Sequence, residues 1–157
     1  MKIVIILLIV IVAVVIILAI IGRMLPVKHT ASQTRSFQSS VDDVWKVASN
    51  MNEWKAWRSD LKKLEITSDS TFKAEDVEYS VSNAVPGRSF TTTIITKDLP
   101  YGGSWHYAFE KDGHGCKLTV VEMGEVYNPL FRSLSKFVFG HEGNLKAYMN
   151  CLTTRIK

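Results

Sequence analysis

The chain has 157 residues and a formal net charge of +4, which falls to +3 once Lys2 is set apart. Acidic and basic side chains are interspersed without a basic stripe, which argues against nucleic acid as a partner. The two cysteines, Cys116 and Cys151, are too few for a disulfide framework or a thiolate metal centre; two buried thiols or one disulfide both remain open.

The first element differs in kind from the rest. Ile3 to Ile21 is an unbroken run of Ile, Val, Leu and Ala. As a helix it reaches about 28 Å, close to the ~30 Å hydrocarbon core of a bilayer. A helix satisfies its own backbone groups, so it is the conformation in which such a run crosses lipid. A signal peptide has a shorter apolar core of about 7–15 residues and a small-residue cleavage site, and Ala19-Ile20-Ile21-Gly22-Arg23 lacks the A-x-A pattern. A core helix of this length would carry polar positions, and this one carries none. The expectation is a single-pass anchor over residues 1–22, a linker over 23–29 and one folded domain over 30–157. Lys2 flanks one end of the anchor and Arg23, Lys28 and Arg35 the other, a small bias toward a cytoplasmic domain.

Thr30 to Gln38 reads as a half-exposed first strand. Ser40 then precedes Val41-Asp42-Asp43-Val44-Trp45, a capping serine followed by acids in the first helical turn. Val41, Val44, Trp45 and Ala48 share one face, so this helix packs inward. Asn50 and Asn52 break it, and Glu53 to Arg58 forms a short second helix carrying Trp54 and Trp57. These two tryptophans either pack on the first helix or sit at a membrane-facing mouth.

From Leu61 the period changes to two. Ser68-Asp69-Ser70 and Pro86-Gly87 are turns, Phe72 to Val85 holds two strands, and Ser89 to Lys97 is rich in Thr, Ile and Phe, as suits a pleated sheet. Pro100 to Gly103 reads as a loop. Ser104 to Glu110 places Trp105, Tyr107 and Phe109 on one face, and Cys116 to Val126 places Leu118, Val120 and Glu122 on one face. Asn128-Pro129 opens a last helix, with Asn as cap and Pro at the first position. Leu130, Leu134, Phe137, His141, Leu145, Tyr148 and Leu152 continue it for about six turns. Strands grouped together with helices outside them give an α+β fold.

This order, carried by Val41-Asp42-Asp43-Val44-Trp45, Trp54-Lys55-Ala56-Trp57, Leu99 to Trp105 and Gly124 to Arg132, resembles the helix-grip fold of the START-like superfamily, in particular polyketide cyclase/dehydrase-like proteins with an N-terminal anchor. The resemblance covers residues 30–155. It implies a curved antiparallel sheet gripping a C-terminal helix around a cavity that takes a lipid or another apolar small molecule. Only some members of such a superfamily are enzymes, so function has to be argued from the site.

On this reading Trp105, Tyr107, Phe109, Leu118, Val120, Glu122, Phe137, His141 and Leu145 are the expected cavity-lining residues. Each aromatic or aliphatic position has an alternative as plain core. Glu122 would be costly to bury unpaired, and His141 is its expected partner; the alternatives are a bulge near Gly124 that returns it to solvent, or an ion pair with Arg132. Gly140 and Gly143 beside His141 either open a pinch onto the cavity or allow close packing. The histidines at 29, 106 and 114 read as isolated. Metalloprotease, phosphate-loop, nucleophile-elbow and dinucleotide motifs are all missing, so no metal and no cofactor is expected. The leading expectation is a membrane-held binding module for an apolar molecule. The alternatives are a cyclase- or dehydratase-type enzyme using Glu122 and His141 as acid and base, and an assembly domain whose cavity is filled by side chains.

Overall fold

The computed structural model describes residues 2–140 and 142–156. An N-terminal helix α1 (Lys2–Met24) is followed by strand β1 (Lys28–Phe37), helix α2 (Val41–Ser49), a turn of 3-10 helix (Met51–Glu53) and the short α3 (Trp54–Trp57). Six strands come next: β2 (Leu64–Ser68), β3 (Thr71–Ala74), β4 (Val77–Val85), β5 (Ser89–Ile94), β6 (Tyr101–Asp112) and β7 (Gly115–Val126). The chain ends in α4 (Pro129–Leu134), a π-helical turn (Ser135–Phe139) and α5 (Gly143–Arg155).

The seven strands form one antiparallel sheet in the order β1-β7-β6-β5-β4-β3-β2, a meander whose first strand closes onto its last. α2, α3 and α5 cover its inner face. The result is the α+β helix-grip architecture that the order of elements implies.

Local chemistry explains the ends of the elements. The Ser40 side chain accepts from the Asp43 backbone N–H and caps α2, while Asn128 accepts from the N–H groups of Leu130 and Phe131 and caps α4, with Pro129 at its start. Val44 and Ala48 of α2 are buried, and Trp45 sets its ring edge-on to Phe90 and Phe109 at 5.7 and 5.2 Å. Trp54 and Trp57 are buried as well, with Trp54 donating from its indole N–H to the Ala48 carbonyl at 2.9 Å. Their packing reading is therefore the right one. Phe90, Leu118, Leu145, Met149 and Leu152 complete the centre of the core, each fully buried apolar side chain contributing roughly 1.5–3 kcal/mol.

Three boundaries differ from the sequence reading. Tyr101-Gly102-Gly103 belongs to β6 rather than to a loop. β1 starts at Lys28, so His29 lies on the sheet. The C-terminal helix is not continuous: Gly140 has φ of 70°, a left-handed conformation that ends the helical path, and α5 restarts at Gly143. The two halves pack differently: α5 lies on the inner face of the sheet, while α4 packs mainly against α1.

α1 stands outside the core. It is long and apolar enough to cross a membrane, and none of the run that qualifies it is buried. A core helix would be buried there, so that reading falls. Cys116 is buried and Cys151 half-buried, and both are free thiols.

Candidate functional site

Two hollows lie between the inner face of the sheet and α5. The inner chamber, about 230 Å³, is walled by α3, α5 and strands β3 to β7. Its lining is largely aromatic, with Trp54, Phe72, Tyr79, Trp105, Tyr107 and Tyr148. The outer chamber, about 510 Å³, lies between β7 and the α4–α5 break and includes Phe131, Leu134, Gly140 and Gly143. Tyr79, Trp105 and Asn144 line both chambers and form the partition between them.

The register of the sheet places the polar groups. Across β1, β7, β6 and β5 the row Ala31–Glu122–Trp105–Thr92 runs along the inner face. Glu122 and Trp105 are directly opposed, and the indole N–H of Trp105 donates to Glu122 Oε2 at 2.8 Å. The other carboxylate oxygen, Oε1, lies 3.2 Å from His29 Nε2. Glu122 is only 7% exposed, so these partners replace the water that an isolated carboxylate would need.

His29 reaches Glu122 because of Gly124. The two are paired across the β1–β7 ladder, and a Cβ at 124 would lie 2.3 Å from the imidazole ring. Only glycine lets the ring lie flat over β7 there. The alternative of an ion pair between Glu122 and Arg132 is thus corrected. Arg132 donates instead to the backbone carbonyls of Leu25 and Tyr127, and His141 lies outside the described residues.

The inner chamber has a second polar cluster. Arg58 donates to both oxygens of Asp60, at 3.2 and 2.5 Å, and its guanidinium lies over the rings of Trp54 and Tyr148. Burial alone would push Asp60 up; the hydrogen bond and charge of Arg58 outweigh it and hold the carboxyl below its ordinary value. Burial drives the neighbouring phenols the other way, taking Tyr79 to about 12 and holding Tyr107 and Tyr148 above the ordinary tyrosine value. The Tyr148 hydroxyl is buried with no protein partner among the described residues.

Of the expected residues, Trp105, Tyr107, Val120 and Leu145 line the inner chamber, and Trp105 and Glu122 line the outer one. Phe109 and Leu118 are core, packed beneath α2 rather than on either chamber. Phe137 points to the surface, 61% exposed, because the π-helical turn rotates it off the inward stripe. Sequence reasoning missed His29, Arg58, Tyr79, Asn144 and Tyr148. Tyr148 sits on the apolar stripe of the last helix and had a readable signal; Arg58 and Asn144 had none.

A larger hollow of about 760 Å³ lies on the opposite face of the sheet, around Thr30, Thr93, Ser104 and Met123, with charged side chains such as Lys97 and Asp98 at its rim. Its aromatic lining is limited to Tyr101 and Tyr127, both exposed. Among the described residues no group of three or more His, Cys, Asp or Glu side chains is placed to hold a metal ion.

Residues 28–157 match the family model of polyketide cyclase / dehydrase and lipid transport proteins. The chain belongs to this family. Several solved structures share its fold. A START superfamily protein from Mycobacterium smegmatis has a TM-score of 0.66 at 15% identity, over 82% of this chain and 97% of that one. A conserved protein from Geobacillus kaustophilus has a TM-score of 0.69 at 13% identity, over 82% and 95%. Norcoclaurine synthase from Thalictrum flavum, solved with dopamine and hydroxybenzaldehyde, has a TM-score of 0.66 at 15% identity, over 90% and 91%. At these identities the likeness concerns the fold alone. None of the curated proteins matches the chain in sequence.

Proposed function

We propose that this member of the polyketide cyclase / dehydrase and lipid transport family is a membrane-anchored binding module for a lipid or another apolar small molecule. The observation that carries the reading is the pair of adjoining chambers between the sheet and α5, with apolar and aromatic walls and a few convergent polar groups. Such a composition is that of a small-molecule site. The outer chamber, at about 510 Å³, has room for an acyl chain or a fused-ring system. Glu122, Arg58 and the Tyr148 hydroxyl supply the polar contacts that would fix a ligand's orientation. α1, with its exposed apolar surface, acts as the tether, and the charge bias around it favours a cytoplasmic domain.

The test is to purify residues 23–157 from cells and combine native mass spectrometry with lipid extraction. An apolar molecule leaving with the protein, bound one to one, supports the reading. A ligand-free domain that takes up no added lipid rejects it and favours the assembly alternative.

One observation favours a second reading. The Glu122–His29 pair on the wall of the outer chamber is an acid/base couple of the kind a cyclase or dehydratase needs. Against it, each carboxylate oxygen already has a partner, which suits a fixed structural group. Glu122→Gln and His29→Gln would abolish turnover of a cognate substrate if this reading held, and leave ligand binding in place.

A further inference from the structure

The short helix α4 does not simply follow the sheet; it docks on α1. The Ser133 hydroxyl donates to the Leu18 carbonyl at 2.7 Å, and Ser133 is fully buried. One turn later on α1, Gly22 lies so close to α4 that a Cβ there would stand 1.7 Å from the Pro129 carbonyl oxygen. Pro129 is thus level with Gly22, and Ser133 with the turn from Leu18 to Gly22. A step forward along α4 is a step back along α1, toward its middle.

Leu18 belongs to the apolar run Ile3 to Ile21. If that run fills the hydrocarbon, Leu18 lies about 4–5 Å inside its edge at 1.5 Å rise per residue. α4 and the turn after it then cannot stand clear of the lipid. The side chains they display fit that position. Phe131, Phe137 and Val138 are 44%, 61% and 65% exposed, three large apolar side chains displayed within two turns. Arg132 and Lys136, one turn apart, line a small hollow with Leu25 and Val27 on the linker side, and the Lys136 ammonium lies over the Phe137 ring, 5.7 Å from its centre. Long cationic side chains at a helix end in lipid reach for the headgroups in this manner.

We propose that the segment from Phe131 to Val138 is a second membrane contact. It lies at the hydrocarbon edge beside α1, with Phe137 and Val138 among the acyl chains and Lys136 reaching back to the headgroups, while Arg132 stays on the Leu25 and Tyr127 carbonyls. The inference rests on the anchoring role proposed for α1 and goes beyond it. Its consequence is functional, since Phe131, Leu134 and Ser135 of this segment also line the outer chamber. One wall of the chamber is then a lipid-embedded helix, and an apolar ligand passes between bilayer and chamber without crossing water.

The test places nitroxide labels on the full chain in vesicles of phosphatidylcholine and phosphatidylglycerol, with Cys116→Ala and Cys151→Ser as background. Labels at Phe137→Cys and Val138→Cys are compared with Val12→Cys in α1 and Asp69→Cys in the exposed β2–β3 turn. Relaxation by dissolved oxygen and by a water-soluble nickel chelate reports the phase around each label. The inference predicts that 137 and 138 behave as 12 does, favouring oxygen, while 69 favours nickel. Labels at 137 and 138 that favour nickel while 12 favours oxygen overturn the second contact and leave the anchor standing. A nickel preference at 12 as well overturns both. Gly22→Leu provides an independent arm: displacing α4 from α1 is expected to reverse the preference at 137 and 138 and leave 12 unchanged.

Discussion

Gly124 faces His29 across the β1–β7 ladder, and the space its missing side chain leaves is filled by the imidazole that reaches Glu122. A Gly124→Val change would push the ring away and strip one partner from a nearly buried carboxylate. The expected cost is about 1–3 kcal/mol, that of an unsatisfied buried acceptor. Urea unfolding would show it as a lowered midpoint at unchanged slope.

Trp105 and Glu122 form the other half of this network. Trp105→Phe keeps an aromatic side chain but removes the donor and the indole's second ring, and Glu122→Leu removes the acceptor. Each single change is expected to destabilise by about 1–3 kcal/mol, the second by the loss of two hydrogen bonds and a misfit in volume. The double variant should lose less than the sum, with a coupling of at least 0.5 kcal/mol or so. Additive values from a double-mutant cycle would mean that the indole and the carboxylate act independently.

Ionisation of Asp60 sets the behaviour in acid. Its carboxyl is held below the ordinary value of 3.8, so near that pH the unfolded chain binds the extra proton and the folded chain does not. The stabilisation is complete above an unfolded carboxyl pKa of about 4 and is lost as pH falls through the lowered folded value. Stability measured from about pH 5 to about pH 2 should therefore fall, and the Asp60→Asn variant, less stable overall, should show a shallower slope.

At the alkaline end the tyrosines act in the opposite sense. Burial raises Tyr79 to about 12 and holds Tyr107 and Tyr148 above the usual 10, so the unfolded chain loses these protons first. Stability is intact below about pH 10 and is lost as pH rises toward the folded values. Phenolate absorbance should show the buried Tyr107 and Tyr148 titrating only with unfolding.

Asn144 is exposed yet lines both chambers. Asn144→Trp should fold normally and fill the junction between them. An apolar fluorescent probe should then bind about tenfold more weakly, equivalent to about 1.4 kcal/mol. An unchanged affinity would place the probe elsewhere.

The sheet and its inner face were legible in the sequence because strand parity is local. Once Trp105, Tyr107 and Phe109 alternate on one strand and Leu118, Val120 and Glu122 on the next, Glu122 has to point inward with the apolar set. The same holds for the caps at Ser40 and Asn128. What stayed hidden depends on pairing between distant segments. His29 looks isolated until β1 is laid beside β7, and Gly124 reads as a bulge signal until the imidazole above it is seen. The break at Gly140 was masked by an apolar stripe that continues on both sides, although two glycines near one another signalled the cost. Phe137 fell on that stripe only under regular helical geometry. The docking of α4 on α1 joins segments more than a hundred residues apart, and Gly22 alone gives no hint of it.

The measurement that bears most directly on this account uses a long-chain alkyl diazirine with the full chain in liposomes. After irradiation, peptide mass spectrometry locates the adducts. A ligand chamber fed from the bilayer predicts adducts within it, on Tyr79, Trp105, Leu134 and Leu145, competed by excess unlabelled lipid and reduced by Asn144→Trp. Adducts confined to α1, with none on the sheet or α5, would contradict it.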